Sequence, residues 1–585
     1  MELIYLWIED YKNIKQEGFV FSSKYKCIYN NETKELKIDK KSDYIENFFG
    51  ENIDITAIVG ENGSGKSNLL ESILCIMFYN SIPWHNYKIS AIFYDNENSE
   101  YFEKYINYSI DKVNGKYLSH KHKDRRKAFT FHYNYSLDYV KNDENNINFN
   151  KLYHKNDNYK TPILLQPNKS ESKVNLWLID YLANQDMLSF ITHEKIKFDN
   201  IDNFFEPTHC KLDFDYSYIY GGKNSSLFQY INNLSKEGKL NIFDTIPSYG
   251  LEDYSSKLEY ITRDGLILLT YYYILKKIHK KQEYIINQDL KTHIKDDNYN
   301  KPLELLKEME IEKLFKPKYD YDSYKISQSL KFIKFLEKQD IQYKIFDDKI
   351  DIFTNEELLL NLAPWISIEF FDVNKVSFYS LSYGQRFLIK FLYSLLNQIT
   401  KLSVHTEYDN IILILDEVEM GLHPQWQKEF FSLLLKVINT FKSRFQYQII
   451  VTSHSPFILS DLPKENVILL KKGAQTQEFR GMQTFGANIH TLLSNGFFMQ
   501  DGLIGQFAKE KINEVIDNLR DKKDSLTKKQ IESTISLLGE PFIHTKLEQM
   551  YSEKFGIEDE LEELKKQKTR IDSKIKELEK ETKDA

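Results

Sequence analysis

Three apolar-rich runs along the chain predict buried strands of a sheet, and the second of them is apolar enough to be buried on both faces. The runs cover Ile53–Val59, Asn410–Leu415 and Ile449–Val451, and each is followed by glycine, a small polar residue or a charged residue. Such runs are typical of parallel strands, and ligands bind outside the carboxyl ends of these strands in open α/β sheets. The pattern therefore predicts an α/β fold with a binding site at that edge.

A glycine-rich loop follows the first run and precedes a predicted helix from Asn68 to Phe78. Strand, loop and helix in this order are the context of a phosphate-binding P-loop, although an accidental glycine-rich turn is the alternative. The loop N–H groups can surround an anion, Lys66 adds charge for the β- and γ-phosphates of ATP, and the Ser67 hydroxyl suits Mg²⁺. The predicted nucleotide-binding residues are Gly60, Asn62, Gly63, Ser64, Gly65, Lys66, Ser67 and Asn68.

The other two apolar runs end in residues that can perform catalysis. Asp416 and Glu417 follow the second run, and two carboxylates at the end of a buried strand rarely serve packing. Asp416 is predicted to help hold Mg²⁺, and Glu417 to act as the base for the attacking water. His454 follows the third run. A lone histidine there is usually structural, but as a member of this set it is predicted to be catalytic with Glu417 and Lys66.

A fourth element, Leu381-Ser-Tyr-Gly-Gln385, precedes an apolar-rich helix from Arg386 to Leu396. The start of a helix offers unpaired N–H groups and the positive end of the helix dipole. Ser382, Gly384 and Gln385 are therefore predicted to form a second anion site. One nucleotide does not need both anion sites within one subunit.

The order and approximate spacing of these elements resemble the ABC-type ATPase family. Walker A corresponds to Gly60–Ser67, the signature to Leu381–Gln385, Walker B to Ile411–Glu417 and the switch histidine to His454. The segment Glu419–Pro424 looks like the E-x-G-L-H-P element of the branch that includes OLD-family, RecF-like and SMC-like ATPases. Two departures are Tyr383, where glycine is commoner, and the Q-loop, for which Gln166 is a weak candidate.

This resemblance implies an ATPase head with a mixed sheet flanked by helices. It also implies a homodimer or higher oligomer in which two heads sandwich two ATP molecules, with Ser382 and Gly384 of one head at the γ-phosphate held by Lys66 of the other. The motif positions predict the domains: residues 1–95 and 346–500 form the head, 96–345 a large, mainly helical insertion, and 501–585 a C-terminal helical region ending in a short coiled coil.

Composition limits the classes of protein. The chain has 585 residues, of which 41% are hydrophobic, but no run approaches the ~18 apolar residues of a membrane span. The start of the chain lacks the features of a secretory signal. The three cysteines, Cys27, Cys75 and Cys210, suit a reducing cytosol and exclude a Cys₄ zinc site. These features predict a cytoplasmic protein with no membrane partner.

Nucleic-acid binding and nuclease activity have weaker support. The net charge of −8 gives no general attraction for DNA or RNA. His120–Lys127 is a basic segment that either contacts phosphates or forms a solvated loop. The pairs Asp213/Asp215 and Asp320/Asp322 would suit a metal-dependent nuclease, but solvated polar faces are the favoured interpretation.

The C-terminal region supports a role in an assembly. Thr484–Phe498 and the following helix resemble the tail of PtuA-type standalone defence ATPases from Septu and retron operons, which implies an anti-phage role and a separate HNH nuclease. In the last thirty residues, Lys568 occupies the one polar position of an a/d seam, which either packs on its own chain or docks another subunit. The apolar seam residues are Ile557, Leu561, Leu564, Ile571, Ile575 and Leu578.

Three hypotheses for function follow. The first is the ATPase subunit of an anti-phage defence complex that controls a separate nuclease. The second is a RecF/SMC-like DNA-repair ATPase that acts directly on DNA. The third is a nuclease that uses the carboxylates of the insertion.

Overall fold

The computed structural model describes residues 1–78, 87–96, 98–118, 128–134, 163–164, 176–214, 321–338, 349–476, 483–496 and 504–581, with gaps of one or two residues in some ranges and isolated residues between 266 and 274. They form two compact units, Met1–Phe498 and Met499–Ala585. The strands of the first unit are β1 (Glu2–Tyr11), β2 (Ile14–Val20), β3 (Tyr25–Asn30), β4 (Glu35–Lys40), β5 (Ile53–Gly60), β6 (Lys88–Asp95), β7 (Glu100–Ile106), β8 (Lys112–Val113), β9 (Lys116–Tyr117), β10 (Ala128–Asn134), β11 (Ile163–Leu164), β12 (His209–Phe214), β13 (Ile350–Asp351), β14 (Ile366–Phe371), β15 (Asn410–Asp416), β16 (Gln446–Thr452), β17 (Val467–Lys471) and β18 (Ala474–Gln475).

The helices are given in the same order. Those of the first unit are α1 (Lys66–Phe78), α2 (Leu176–Glu194), α3 (Tyr321–Lys338), α4 (Glu356–Asn361), α5 (Tyr383–Ser403), α6 (Pro424–Phe441), α7 (Pro456–Ser460) and α8 (Ile489–Gly496). The second unit contains α9 (Gln506–Leu519), α10 (Lys528–Ser536) and α11 (Pro541–Glu581).

A seven-stranded sheet forms the centre of the first unit. Its order is β11, β10, β15, β16, β5, β17 and β18, and every pair is parallel except β17 with β18. Alternate residues of β15 enter two different cores: Ile411 joins the core formed with α2, α5 and α6, whereas Ile412 joins the core formed with α1. Burial on both faces explains why the strand is continuously apolar.

Three smaller sheets accompany the central sheet. Strands β2, β1, β6 and β7 form an antiparallel sheet whose apolar residues share the core beneath α1. Strands β3, β4, β8 and β9 form a second sheet, and β13, β12 and β14 an antiparallel third. The predicted fold class, a mixed sheet flanked by helices with C-terminal helices, is confirmed.

The segment expected to be a helical insertion, residues 96–345, contains strands where the structure describes it. Strand β10 pairs in register with β15, from Ala128 opposite Asn410 to Asn134 opposite Asp416, so it belongs to the central sheet. Strand β12 lies in the three-stranded sheet, and α2 and α3 are the long helices described in this range. The division at residues 95 and 345 stays a prediction.

Several sequence predictions fall outside the described residues: Gln166, the basic segment His120–Lys127, Asp215 and Asp320. Of the two aspartate pairs, the structure therefore describes only one member each: Asp213 lies in strand β12, and Asp322 lies in helix α3. Among the residues that the structure describes, no helix has the length and apolar character needed to cross a membrane. Cys27, Cys75 and Cys210 do not form disulfide bonds with one another.

The second unit is a small helical bundle. Ile512, Val515 and Leu519 of α9 pack with Ile531 and Ile535 of α10, and the core is completed by the first half of α11 through Leu547, Met550, Tyr551 and Phe555. A capping box begins α10, in which Thr527 and Gln530 bond each other's backbone N–H groups. The second half of α11 is described below as an exposed surface.

Candidate functional site

The phosphate-binding loop runs between β5 and α1, and its positions require glycine for different structural reasons. Gly63 and Gly65 have φ values of +75° and +104°, a region that side chains disfavour. A methyl group on Gly63 would meet no atom within 4 Å, so open space lies beside the loop there. At Gly60, by contrast, an added Cβ would lie 2.2 Å from the carbonyl oxygen of Leu470 in β17. Only glycine permits this close approach.

Lys66, the first residue of α1, is nearly buried and folds back over the loop. Its Nζ donates hydrogen bonds to the carbonyl oxygens of Gly60 and Glu61, both at 3.1 Å. Burial lowers the pKa of the Lys66 ammonium group, while the charges of Glu417 and Asp416 oppose that shift. The predicted phosphate ligand therefore lies within electrostatic range of the predicted catalytic carboxylates.

Asp416 ends β15 directly opposite Thr452, the last residue of β16. The Thr452 hydroxyl donates a hydrogen bond to Asp416 Oδ1. Burial raises the pKa of the Asp416 carboxyl to about 7, and the charges of Glu417 and Glu419 act in the same direction, whereas the Thr452 hydrogen bond opposes it. A divalent cation at this carboxylate would favour its ionised form, because an opposite charge stabilises the anion.

Glu417 follows in an unusual backbone conformation. Its φ of +50° is in the left-handed region, where a side chain other than glycine costs on the order of 1 kcal/mol. The Glu417 N–H donates to both the carbonyl oxygen and the hydroxyl of Thr452, at 3.2 and 3.1 Å, which holds the strained turn. This conformation is not evident from the sequence. It is the kind of local strain that clusters at functional sites.

The Glu417 side chain meets the histidine predicted from the third strand. Glu417 Oε1 lies 3.4 Å from His454 Nε2. The hydrogen bond from His454 lowers the pKa of the Glu417 carboxyl, and the charges of His454 and Lys66 lower it further against the effect of burial. Glu417 is therefore ionised at neutral pH and can accept a proton.

Glu419 is a buried residue of the site to which sequence reasoning gave no role. Its buried Oε1 accepts hydrogen bonds from the Ser453 hydroxyl at 2.5 Å and from the His454 N–H at 3.0 Å. Burial raises the pKa of the Glu419 carboxyl, and these hydrogen bonds oppose the rise. The carboxylate thus ties the turn after β15 to the segment that carries His454. The sequence signal that could have identified Glu419 is its position as the first residue of the E-x-G-L-H-P element.

The signature residues lie at the start of α5. The Ser382 N–H donates to Gln385 Oε1 at 2.9 Å, and the Gln385 N–H donates to the Ser382 hydroxyl at 3.4 Å, a reciprocal cap. Ser382 and Tyr383 are exposed, whereas Gly384 is buried, and a methyl at Gly384 would contact Leu422 Cδ2 at 3.6 Å. The signature therefore packs beside the element that follows Walker B and presents Ser382 to solvent.

Two buried oxygens of this site are available to a polar ligand. Within the described part of the chain, Ser64 Oγ and Glu419 Oε2 have no hydrogen-bond partner. Unpaired buried polar atoms cost about 1–3 kcal/mol each, so a ligand that pairs with them is favoured. Loop N–H groups and Lys66 suit phosphates, and the oxygen atoms of Ser67 and Asp416 suit a hard divalent cation. These residues fit ATP with a divalent metal.

These elements define a P-loop ATPase, and the comparison with protein families agrees. A model described as "AAA ATPase domain" matches residues 7–459, and the chain belongs to this family. The protein is therefore an ATPase. Its use of ATP follows from the family, and the individual roles assigned to the site residues stay predictions.

Individual relatives carry names from retrons. The chain is 28% identical over 197 residues to "Retron Ec83 probable ATPase" of Escherichia coli, a match that covers 32% of this chain and 32% of that relative. It is 24% identical over 426 residues to "Retron Vc95 probable ATPase" of Vibrio cholerae serotype O1 biovar El Tor, covering 71% of this chain and 69% of the relative. The match thus spans only about a third of the E. coli protein.

Among solved structures, the chain is similar to the recombination mediator protein RecF-ATPrS of the RecFOR pathway. The sequences are 12% identical, and the match covers 81% of this chain and 97% of the other at a TM-score of 0.23. A score this low says nothing about function.

Proposed function

We propose that this ATPase is a subunit of a bacterial anti-phage defence complex, in which two copies close around ATP and thereby control a separate nuclease. The observation that carries the catalytic part is the convergence of Glu417, Thr452 and His454 at the ends of the neighbouring strands β15 and β16, within electrostatic range of Lys66. The defence context is supported by the two relatives named as retron ATPases and by the likeness of the tail to the PtuA type.

Each site residue has a distinct role in this proposal. The loop N–H groups and Lys66 bind the β- and γ-phosphates. Ser67 and Asp416 hold Mg²⁺, which neutralises phosphate charge when bound. Glu417 accepts a proton from the attacking water, and the hydrogen bond from His454 keeps that carboxylate ionised and oriented.

Closure of two copies uses the second anion site. Ser382 is exposed at the start of α5, where the helix dipole and backbone N–H groups favour an anion. Ser382 and Gly384 of a second copy contact the γ-phosphate held at Lys66, so that ATP joins the two heads. Hydrolysis removes this link, and the difference in ATP affinity between the open and closed states drives the cycle.

The nuclease partner is proposed to be a separate HNH protein encoded nearby, in a retron or a Septu-type operon, and the complex is cytoplasmic. An adjacent HNH or reverse-transcriptase gene is the expected arrangement. Co-purification of that gene product with this chain tests the partner directly. ATP-dependent DNA binding by the chain alone, with no nuclease partner, would instead favour a DNA-repair ATPase.

The catalytic assignment is tested with Glu417→Gln. This variant should bind ATP, accumulate as a closed dimer and release phosphate about 10²–10⁴-fold more slowly, the usual range for loss of a general base. ATP binding, mass in solution and phosphate release are measured on the same preparation. Lys66→Ala is the control that loses ATP binding, and Ser382→Arg is the control that binds ATP but does not close. Undiminished turnover by Glu417→Gln would refute the assignment of the base.

A further inference from the structure

The second half of α11 is an exposed helix with an apolar seam. The helix contains 41 residues, so it is about 60 Å long at 1.5 Å per residue. Its first half is anchored in the small helical bundle, ending with Tyr551 and Phe555. From Ile557 onward, every side chain whose exposure is described is exposed. A single exposed helix of this length gains little stability by itself in water, because most helical stability in proteins comes from packing.

The seam residues follow the 4-3 spacing of a coiled coil. Five of them are large apolar side chains that are 46–86% exposed: Ile557, Leu561, Leu564, Ile571 and Ile575. They alternate between d and a positions, starting with Ile557 at d, and Lys568 occupies the central a position. A contiguous apolar seam on a water-exposed helix is typical of a surface that another helix covers.

The charges beside the seam identify the occupant. In a parallel pair of identical helices, each g residue faces the e residue five positions later on the other copy. Here Glu560 faces Lys565 and Lys574 faces Glu579, while Gln567 faces Asp572 without repulsion. The sequence of the helix is therefore complementary to itself in the parallel orientation.

We propose that the exposed half of α11 pairs with the same segment of a second copy as a parallel, in-register, two-stranded coiled coil that forms without nucleotide. Lys568 lowers the stability of this seam and fixes its register, because a polar residue at one a position disfavours shifted pairings. Its long side chain can extend past the seam so that the ammonium group stays in water. This interface is independent of the ATP-dependent contact between heads, so the two can be tested separately.

Cysteine cross-linking of the full-length, nucleotide-free chain tests orientation and register. In the proposed pair Ile571 lies opposite Ile571 of the second copy, so Ile571→Cys should give a disulfide-linked dimer on mild oxidation. Ser573→Cys, on the opposite side of the helix, is the matched control and should stay monomeric on a denaturing gel. The wild-type chain gives the background from Cys27, which is partly exposed. Equal cross-linking of both variants, or none of either, would overturn the proposal.

Charge exchange tests the pairing itself. Glu560→Lys should weaken nucleotide-free dimerisation about 3–10-fold, since each dimer then contains two repulsive pairs with Lys565. Adding Lys565→Glu should restore the wild-type dissociation constant. Lys574 is left unchanged because it also pairs with Glu577 of its own helix at 3.1 Å. If the two changes weaken association additively, the helices do not meet in this register.

The head contact provides a final control. Lys66→Ala should abolish ATP-dependent closure but leave the nucleotide-free dimer intact in light-scattering measurements. A chain that is monomeric without nucleotide, and whose seam variants lose only binding of a different protein, would show that a heterologous partner covers the seam. Far-ultraviolet circular dichroism of each variant confirms that the helices are retained.

Discussion

Replacement of Glu419 tests whether this buried carboxylate positions His454, the histidine that is predicted to be catalytic. Glu419 does not contact the histidine ring, but its Oε1 accepts hydrogen bonds from the Ser453 hydroxyl and the His454 backbone N–H. His454 Nε2 in turn lies 3.4 Å from Glu417 Oε1. Glu419→Ala removes the acceptor and leaves two donors without it, so the segment that carries His454 loses its main connection to the turn after β15.

The size of the effect can be estimated from the two hydrogen bonds. A hydrogen bond to a charged group contributes about 1.5–3 kcal/mol, so the loss of both costs about 3–6 kcal/mol. If that energy positions His454 and Glu417 in the transition state, each 1.36 kcal/mol reduces the rate tenfold, and kcat falls roughly 10²–10⁴-fold. KM for ATP should change only a few-fold, because the loop and Lys66 are unaffected.

Glu419→Gln is the matched control. Its side-chain carbonyl can accept the same two hydrogen bonds. The amide is neutral, so it does not carry the cost of burying a charge, which raises the pKa of the Glu419 carboxyl. This variant should therefore lose only about half of that energy, which corresponds to a roughly 10- to 100-fold lower kcat, since neutral hydrogen bonds are about half as strong as charged ones. Steady-state ATP turnover, with kcat and KM determined separately, distinguishes the two variants.

Two results would contradict the reasoning. If Glu419→Ala lowers the melting temperature but leaves kcat unchanged, the carboxylate serves stability and not catalysis. If Glu419→Gln loses as much activity as Glu419→Ala, the charge matters and not the position of the hydrogen-bond acceptor. Glu417→Gln, measured alongside, gives the rate expected when the base itself is lost.

Two further predictions concern stability. Burial raises the pKa of the Asp54 carboxyl from 3.8 to about 6. The folded state therefore binds this proton more tightly than the unfolded state does. The resulting contribution of about 3 kcal/mol to the free energy of unfolding is present below pH 4 and is lost as the pH rises from about 4 to 6. In Asp54→Asn the urea midpoint of unfolding should depend less on pH across that range. An unchanged pH dependence of the midpoint would exclude Asp54 as the source of the loss. Gly60→Ala places a methyl 2.2 Å from the Leu470 carbonyl oxygen and should lower both the melting temperature and ATP affinity. Gly539→Ala, where an added Cβ meets nothing within 4 Å, is the control that should change neither.

The central strands were predictable because burial on both faces leaves a strong pattern. The residues of β15 alternate between two apolar cores, so the strand reads as one continuous apolar run. Strand β10 gives no such signal: its seven residues include Thr130, His132 and Asn134, and it enters the sheet beside a strand nearly 300 positions later in the chain. Pairing over that separation depends on the whole fold and is not encoded in a local pattern.

The same distinction applies to the site. The P-loop and the carboxylates at the end of β15 are local motifs, and the sequence placed them on the correct elements. The left-handed backbone of Glu417 and the hydrogen bonds of Glu419 depend on Thr452 and Ser453, which belong to a neighbouring strand and the turn after it. No pattern within either segment alone indicates that they meet.

The register of β15 against β16 sets the geometry of the carboxylates that are predicted to be catalytic. Because Asp416 lies opposite Thr452, the residues that follow each of them also meet: Glu417 reaches His454, and Glu419 reaches Ser453. A shift of one residue between the strands would reverse which side chains face each core, and it would also break all these contacts at once. The apolar residues that fix the register therefore position the groups that are predicted to be catalytic. A cavity made by shortening Ile412 or Ile450 should consequently reduce turnover through displaced strand ends as well as lower stability.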